Sequence, residues 1–324
     1  MADLTQLGGA MTALITPFKN GEVDHEALAA LVERQIKGGI DGLVPCGTTG
    51  ESATMTPKEQ LEVISTVVEA AAGRVPIVAG TGSNDTAKTV AFTRKGAEIE
   101  GVDAALVVVP YYNKPNQAMM VTHFRRVADE GGLPVVLYNV PGRTVVSMTE
   151  QTVATLAEHE QIIAIKEATG NMTFDTGIIE ALGNNPLRLL SGDDFTTMPF
   201  VAMGGHGCIS VVSNLLPGVM SELVRATREL DMEKARALHL RIQPLARILF
   251  ANPNPVPTKE IAAKLGWCSA EVRGPLCGSE PTFLEKLDRI IAKHRDRSLP
   301  LERWRRGPRP PARRAVGDVR QPHG

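Results

Sequence analysis

The sequence predicts a closed (β/α)8 TIM barrel, an α/β fold, followed by a C-terminal helical extension. Short β-rich apolar runs alternate with longer amphipathic segments at about 25 residues per pair, which is typical of a parallel barrel. The competing fold, an open doubly wound sheet, usually has a Gly-rich phosphate turn after its first strand. Here that strand is followed by Thr16-Pro17-Phe18-Lys19-Asn20-Gly21, which is no such turn.

The elements follow one another in a regular order. Strands are predicted over residues 11–15, 42–45, 76–79, 104–109, 134–138, 162–166, 187–191 and 207–211. Amphipathic helices are predicted between them over residues 25–37, 57–72, 86–99, 117–129 and 149–159. Thr56 before Pro57 is typical of a helix start, as is the polar run Ser83-Asn84-Asp85-Thr86.

The strand pattern stops near residue 215, and helices are expected over 216–240, 260–265 and 283–294. The Pro-rich stretch 252–257 is expected to be a rigid extended linker. We therefore predict a barrel over 1–215, a helical domain over 216–295 and a basic, Pro-rich tail over 296–324. The tail lacks periodicity and is expected to be disordered; one Trp among its arginines gives little support to a nucleic-acid-binding role.

Composition excludes several classes of protein. A net charge of −1 argues against a nucleic-acid binder, and 43% hydrophobic residues suffice for a core. Cys46, Cys208, Cys268 and Cys277 form no CxxC pair and no His cluster accompanies them, so no metal site is predicted and a reducing compartment is expected. We expect a cytoplasmic protein without membrane partners, because no signal peptide and no apolar stretch of about 20 residues is present.

Lys166 is the first residue that predicts chemistry. It ends the apolar run Ile162-Ile163-Ala164-Ile165, which places it at the tip of a buried strand. Burial disfavours the charged form of an amine, and a neutral amine attacks carbonyl carbons to give Schiff bases. The alternative is a lysine that buries only its stem and extends its ammonium to solvent.

Other candidates lie where strands are followed by helices, the functional face of a barrel. Gly47-Thr48-Thr49-Gly50 offers N–H groups and hydroxyls to a carboxylate, or is a tight turn with a Thr cap. Arg143 either clamps a second carboxylate or lies on the surface. Tyr138 either transfers protons near Lys166, since strands five and six should be neighbours, or fills the core.

Three polar residues near the ends of the last strands are interpreted as structural. His206 lies in the Gly-rich turn Gly204-Gly205-His206-Gly207, where a histidine more often holds the backbone than reacts. Asp193 and Asp194 follow Gly192 and resemble turn-forming carboxylates more than a Mg²⁺ site.

Taken together, these motifs resemble the dihydrodipicolinate synthase family, which belongs to the pyruvate-dependent class I aldolases related to N-acetylneuraminate lyase. The resemblance covers roughly residues 8 to 290. The matching segments include Gly47-Thr48-Thr49-Gly50-Glu51-Ser52-Ala53-Thr54, Gly80-Thr81-Gly82-Ser83-Asn84, Pro110-Tyr111-Tyr112-Asn113-Lys114-Pro115, Leu137-Tyr138-Asn139-Val140-Pro141-Gly142-Arg143-Thr144, Ile165-Lys166-Glu167-Ala168-Thr169-Gly170 and Ser191-Gly192-Asp193-Asp194.

The resemblance implies the condensation of pyruvate with L-aspartate 4-semialdehyde in lysine and diaminopimelate biosynthesis, by a homotetramer of two dimers. It implies no cofactor, because the covalent imine of Lys166 with pyruvate carries the reaction. By the same resemblance, the proton relay is Tyr138, Thr49 and Tyr112, with Tyr112 supplied by a neighbouring subunit. The implied substrate-binding residues are Thr48, Thr49, Arg143, Gly192 and Ile209.

Two alternatives stay open at the level of sequence. A 2-keto-3-deoxy sugar acid aldolase or a sialic acid lyase would use the same imine chemistry, although Gly-Thr-Thr-Gly-Glu and Arg143 favour the synthase. A catalytically inactive barrel used for binding is disfavoured by the intact set of candidate residues.

A lysine-effector site of this family is partly matched. Ser52, Ala53, Asn84 and Tyr111 match residues of that site, whereas Gln60 and Lys88 replace the family's residues. Lysine-sensitive members carry two histidines and a glutamate where this chain has Pro57, Gln60 and Lys88. Because Lys88 would repel the inhibitor's ammonium, we predict weak or absent inhibition by lysine.

Overall fold

The computed structural model describes residues 6–295, with side chains through Arg289. Eight parallel strands form the predicted barrel, which is confirmed. They are β1 (Gly9–Ala13), β4 (Gly42–Val44), β5 (Val78–Gly80), β6 (Ala104–Val108), β7 (Val135–Asn139), β8 (Ile162–Glu167), β9 (Arg188–Ser191) and β10 (Gly207–Ser210). A small antiparallel hairpin, β2 (Phe18–Lys19) and β3 (Glu22–Val23), follows β1.

The sheet closes between β4 and β5. Its hydrogen-bonded order runs from β4 through β1 and β10 back to β5. Leu43 pairs with Ile77 in a parallel bridge, and its N–H donates to the Pro76 carbonyl at 3.0 Å. The Gly80 N–H donates to the Pro45 carbonyl at 2.9 Å. These bonds join the two edges, so no long unpaired edge remains between these strands.

Helices surround the barrel and extend beyond it. They are α1 (His25–Lys37), α2 (Pro57–Ala71), α3 (Thr86–Ala97), α4 (Gln117–Glu130), α5 (Pro141–Thr144), α6 (Glu150–Ala157), α7 (Met172–Leu182), α8 (Thr197–Ala202), α9 (Pro217–Arg228), α10 (Met232–Leu249), α11 (Val256–Lys264) and α12 (Pro281–Arg295). The predicted start at Thr56 is confirmed by a capping box, in which Glu59 N–H donates to Thr56 Oγ1 and the Glu59 carboxylate accepts from Thr56 N–H.

Apolar side chains from every barrel strand fill the interior. The buried cluster includes Met11, Val44, Val78, Leu106, Val136, Tyr138, Ala164, Leu190 and Ile209. Because the outer face of each strand is also covered by helices, the strands are apolar almost throughout, which is why they were recognisable in the sequence. The barrel is therefore a packed core that holds its functional residues at one end.

The helix expected over 216–240 is wrong, because the chain breaks between α9 and α10. Leu230 adopts a left-handed conformation, with φ of +62°. Asp231 then caps α10 by accepting from the Lys234 N–H at 3.2 Å. The apolar periodicity continues on both sides of the break, so the pattern alone gave no sign of it.

The extended linker expected over 252–257 is also wrong. The Val256 N–H donates to the Pro253 carbonyl and the Lys259 N–H to the Pro255 carbonyl, each at 3.0 Å. The stretch is a turn, and α11 begins at Val256 rather than at 260. A proline fits the first turn of a helix, where its missing N–H would have no partner, and Pro257 lies in that turn.

Contacts divide the chain into one unit up to Ser279 and a second from Glu280. Helix α9 packs on β1 and α8, as the eighth helix of a barrel does, while the boundary at residue 215 stays a prediction. The tail predicted over 296–324 lies outside the described residues. No helix within residues 6–295 combines the length and apolarity needed to cross a bilayer.

His206 precedes β10 and has a structural role. Its Nδ1 accepts a hydrogen bond from the Leu189 N–H at 3.0 Å. The backbone N–H of His206 donates to the Leu189 carbonyl, and its carbonyl accepts from the Gly9 N–H. Burial, followed by the positive charges of Arg188 and Arg228, lowers the pKa of His206 to about 4. The neutral imidazole therefore holds β9 and β10 together.

We expect the free energy of unfolding to fall as the pH drops from about 6.5 towards 4. In that window the unfolded chain binds a proton at residue 206 that the folded chain resists, so the stabilisation is present above the window and lost within it. His206→Asn keeps an acceptor but does not titrate, so denaturant unfolding of this variant should show a smaller fall. His25→Asn is the control, because the Nδ1 of this half-buried histidine contacts the uncharged Thr66 hydroxyl at 2.7 Å. An unchanged slope in His206→Asn would contradict the assignment.

Candidate active site

Lys166 and Tyr138 meet inside the barrel. The register of β7 and β8 pairs the two residues, so their side chains project from neighbouring strands to the same side. Both residues are 6% exposed, and Lys166 Nζ lies 4.3 Å from the centroid of the Tyr138 ring. The burial does not support the alternative in which Lys166 extends its amine to solvent, and the expected closeness of the two strand tips is confirmed.

Gly192 leaves the space that the Lys166 stem occupies. A Cβ at position 192 would lie 3.0 Å from Lys166 Cε and 2.7 Å from the Ala168 Cβ. The Gly192 N–H donates to the Glu167 carbonyl at 2.5 Å, which ties the end of β9 to β8. Ile209, 1% exposed, belongs to the same buried cluster as Tyr138. The structure thus brings Gly192 and Ile209 to the pair.

The opposite face of β8 is held by a buried carboxylate that the sequence analysis missed. Glu167 accepts from the Thr169 N–H and hydroxyl at 3.0 and 2.7 Å, and from Asn139 Nδ2 at 3.1 Å. Burial, followed by the neighbouring Glu167, raises the pKa of Asp175 to about 8. A glutamate within a buried strand was the available signal, because alternation along β8 directs it away from Lys166.

The loop from Cys46 to Glu51 follows β4. Both end residues adopt left-handed conformations, with φ of +56° and +55°, which non-glycine residues rarely do. A Cβ at Gly80 would lie 2.1 Å from the Cys46 carbonyl oxygen, so β5 approaches the loop closely. Within residues 6–295 the N–H groups of Thr48 and Thr49 have no backbone partner, which leaves them available to an anion.

The two threonines of this loop differ in their surroundings. Thr48 lines a cavity of about 770 Å³, whereas Thr49 is 4% exposed and does not line that cavity. Asn254 Nδ2 donates to Thr49 Oγ1 at 2.8 Å. Asn254 was not predicted as a site residue, since it lies in the turn that was interpreted as a linker.

The cavity joins the remaining candidates. Arg143, Val140 and Thr144 line it beside Thr48. All six residues of the candidate effector site line it as well, namely Ser52, Ala53, Gln60, Asn84, Lys88 and Tyr111. Its charged lining residues are Lys88, Lys95 and Arg143, with no carboxylate among the lining residues that the structure describes. The cavity therefore favours negatively charged groups.

Tyr112 is the predicted residue that the structure does not bring to the others. It is 87% exposed, with φ of +73°, and it does not line the cavity. The neighbouring Tyr111, 38% exposed, does line it. Within this chain Tyr112 is thus directed to the outside.

Asp193 and Asp194 hold turns, as interpreted from the sequence. Asp194, 2% exposed, accepts from Ser210 Oγ and from the N–H groups of Val211 and Val212 at 2.9 and 3.0 Å. Burial raises the pKa of Asp194, against the effect of these hydrogen bonds. Among the side chains that the structure describes, which end at Arg289, no group of three His, Cys, Asp or Glu residues is arranged to hold a metal ion.

Replacing Gly192 by Ala is expected to displace Lys166 and to lower the free energy of unfolding by about 1–3 kcal/mol, the usual cost of overpacking. Gly142→Ala is the matched control, because a Cβ there meets nothing within 4 Å. Chemical denaturation of both variants measures the difference. Equal free energies of unfolding for Gly192→Ala and Gly142→Ala would show that a methyl group fits beside Lys166 without displacing it.

The sequence matches one known protein family over most of its length. The family model described as the dihydrodipicolinate synthetase family matches residues 6–294. The 4-hydroxy-tetrahydrodipicolinate synthase of Thermodesulfovibrio yellowstonii is 46% identical over 283 residues, covering 87% of this chain and 97% of the relative. That of Maridesulfovibrio salexigens is 49% identical over 269 residues, covering 83% and 91%.

Solved structures agree. Dihydrodipicolinate synthase from Aquifex aeolicus matches with a TM-score of 0.87 and 44% identity, covering 89% of this chain and 98% of that one. The enzyme from Cyanidioschyzon merolae, solved with lysine bound, matches with a TM-score of 0.85 and 38% identity over the same shares. The chain therefore belongs to the dihydrodipicolinate synthase family.

Proposed function

We propose that the chain condenses pyruvate with L-aspartate 4-semialdehyde to give 4-hydroxy-tetrahydrodipicolinate, a step of lysine and diaminopimelate biosynthesis. The observation that carries the proposal is the buried amine of Lys166, 4.3 Å from the Tyr138 ring at the carboxyl end of the barrel strands. The 46–49% identity to synthases of this name supports the choice of reaction. The proposed site is expected to function in the cytoplasm.

The amine of Lys166 supplies the chemistry without an added cofactor. It attacks the keto carbon of pyruvate, and loss of water gives an iminium, which withdraws electrons from the methyl group. Loss of a methyl proton then gives an enamine, whose carbon attacks the aldehyde carbon of the second substrate. The amine of that substrate displaces Lys166 by transimination, which closes the ring and frees the enzyme.

Proton transfer and binding fall to the residues around Lys166. The ring of Tyr138 lies beside the amine, and Tyr138 is proposed to pass protons, with Thr49 as its partner. The free N–H groups of Thr48 and Thr49 suit the pyruvate carboxylate. The carbonyls of Gly192 and Ile209 are proposed to line the pocket.

Arg143 and Tyr112 are proposed to complete the site from its outer side. Arg143 lines the cavity and can bind the semialdehyde carboxylate with two parallel hydrogen bonds. An aromatic side chain that is 87% exposed suits insertion into another copy of the chain, which supports Tyr112 as a relay member supplied by a neighbouring subunit. The proposal therefore includes a homotetramer of two dimers.

Lys166→Ala is expected to abolish the pyruvate adduct that borohydride reduction traps on the protein. Mass spectrometry of the intact protein and its peptides measures the adduct, with a parallel assay of semialdehyde-dependent product. Lys58→Ala removes a lysine whose side chain is 86% exposed and should leave the adduct unchanged. Full trapping in Lys166→Ala would mean that another lysine is the nucleophile.

Weak or absent inhibition by L-lysine is expected, because Lys88 adds a positive charge to the cavity that also holds Ser52, Asn84 and Tyr111. Lys88→Glu should increase sensitivity to lysine about tenfold or more, since a reversed charge at contact distance shifts binding by a few kcal/mol. Initial rates against lysine concentration measure the effect. Lys95→Glu reverses a charge of the same cavity outside the candidate effector residues, so it should raise the sensitivity less than Lys88→Glu does. An inhibition constant of the unaltered chain in the low micromolar to submillimolar range would contradict the prediction.

A further inference from the structure

Two buried contacts connect the chain beyond the barrel strands to the Cys46–Glu51 loop. Asn254, 7% exposed, donates from Nδ2 to Thr49 Oγ1 at 2.8 Å. Lys259 on α11 donates from Nζ to Glu51 Oε1 at 2.5 Å. Both contacts span more than 200 residues of sequence. The first ends on Thr49, which carries one of the N–H groups proposed to bind pyruvate, and the second ends on Glu51, two residues further along the loop.

The ion pair of Lys259 and Glu51 is fully enclosed. The two side chains are 0% and 1% exposed. Lys259 Nζ also donates to the Glu271 carbonyl at 2.6 Å and lies 4.1 Å from the Phe18 ring centroid. Burial lowers the pKa of Lys259, while the carboxylate of Glu51 acts in the opposite direction.

A buried ion pair contributes little net stability, because the loss of hydration offsets the attraction of the charges. Apolar residues of similar volume often replace such pairs without loss of stability. What this pair does determine is geometry: Glu51 Oε1 is held by Lys259 and Oε2 by the Arg273 N–H at 3.1 Å. Both carboxylate oxygens of Glu51 are thus fixed. These contacts hold Glu51, whose backbone is left-handed, in place at the end of the loop.

Asn254 acts on the loop at a second point. Because its amide donates to Thr49 Oγ1, the hydroxyl hydrogen of Thr49 is directed to some acceptor other than Asn254. A relay member must present that hydrogen to its partner, and a threonine hydroxyl otherwise rotates to suit any acceptor. The contact therefore selects one orientation of Thr49.

We propose that Asn254 and Lys259 are positioning residues, which set the Thr48–Thr49 loop for the pyruvate carboxylate and orient the Thr49 hydroxyl. This inference rests on the proposed function, since it assigns pyruvate to that loop. Neither residue touches substrate; each acts through a loop residue. The segment around α11 therefore acts on the active site indirectly, through Thr49 and Glu51.

The ion pair is tested with the neutral double variant Glu51→Gln/Lys259→Met, beside each single change. The single variants leave one charge buried without its partner, so they are expected to lose stability and some will not fold. The double variant should recover the thermal midpoint of the unaltered chain and still bind pyruvate about tenfold more weakly, measured as KM and as the pyruvate concentration needed for half-maximal borohydride trapping. Recovery of both stability and pyruvate binding would overturn the positioning role.

Asn254 is tested with Asn254→Leu, which removes the donor at similar volume, and with Asn254→Asp, which offers only acceptors. Both should raise KM for pyruvate or lower kcat by about tenfold, the loss expected for one ordering hydrogen bond, with KM for the semialdehyde changed less than about twofold. Val127→Ala controls for a general loss of stability, because Val127 is 0% exposed and lies near the C-terminal end of α4. Kinetics of Asn254→Leu equal to those of Val127→Ala would refute the proposal.

The two proposals fail in different ways. If the unaltered chain forms no trapped pyruvate adduct, the proposed function is wrong and the positioning role falls with it. If the unaltered chain is trapped and turns over, but the Asn254 variants and the double variant match it in pyruvate KM, kcat and trapping, only the positioning role is wrong.

Discussion

The parallel register of β7 and β8 is the constraint on which the rest of the site depends. It pairs Tyr138 with Lys166 and the next residue, Asn139, with Glu167. Successive residues of a strand face opposite sides, so a slip of one residue would place the Glu167 carboxylate where the amine now lies. The Asn139–Glu167 hydrogen bond at 3.1 Å forms only in the observed register. By fixing the register, this contact on the outer face of β8 keeps Lys166 on the inner face, beside Tyr138.

Unfavourable features of two kinds, strained backbone and buried charge, meet at the loop from Cys46 to Glu51. Cys46 and Glu51 have left-handed backbones, each costing on the order of 1–3 kcal/mol, and Lys259 and Glu51 bring two charges out of water. Strain persists only where surrounding contacts over-determine it, and such places are commonly functional. The loop that carries Thr48 and Thr49 fits this rule, because Lys259 and Arg273 fix it at Glu51 and Asn254 fixes it at Thr49.

The sequence predicted what depends on local periodicity and strand order, and missed what depends on distant contacts. The barrel and the Lys166–Tyr138 pair followed from eight apolar runs and the adjacency of consecutive strands. The break at Leu230 escaped because it interrupts a continuous apolar pattern, and the turn before Val256 escaped because its prolines were interpreted as an extended linker. The sequence around Lys259 gave no sign of its role, since its burial is visible only once Glu51, 208 residues away, is placed beside it.

The charge of the cavity acts on every ligand that enters it. Lys88, Lys95 and Arg143 line it without a carboxylate among the described lining residues. Pyruvate is an anion and lysine a net cation, so this field attracts the first and repels the second. Salt screens exposed charges beyond about 8 Å at physiological ionic strength, so each cation acts mainly on groups inside the cavity. With Lys88 in place of the glutamate of lysine-sensitive members, the chain is therefore expected to bind lysine more weakly, while the same charge attracts anionic pyruvate.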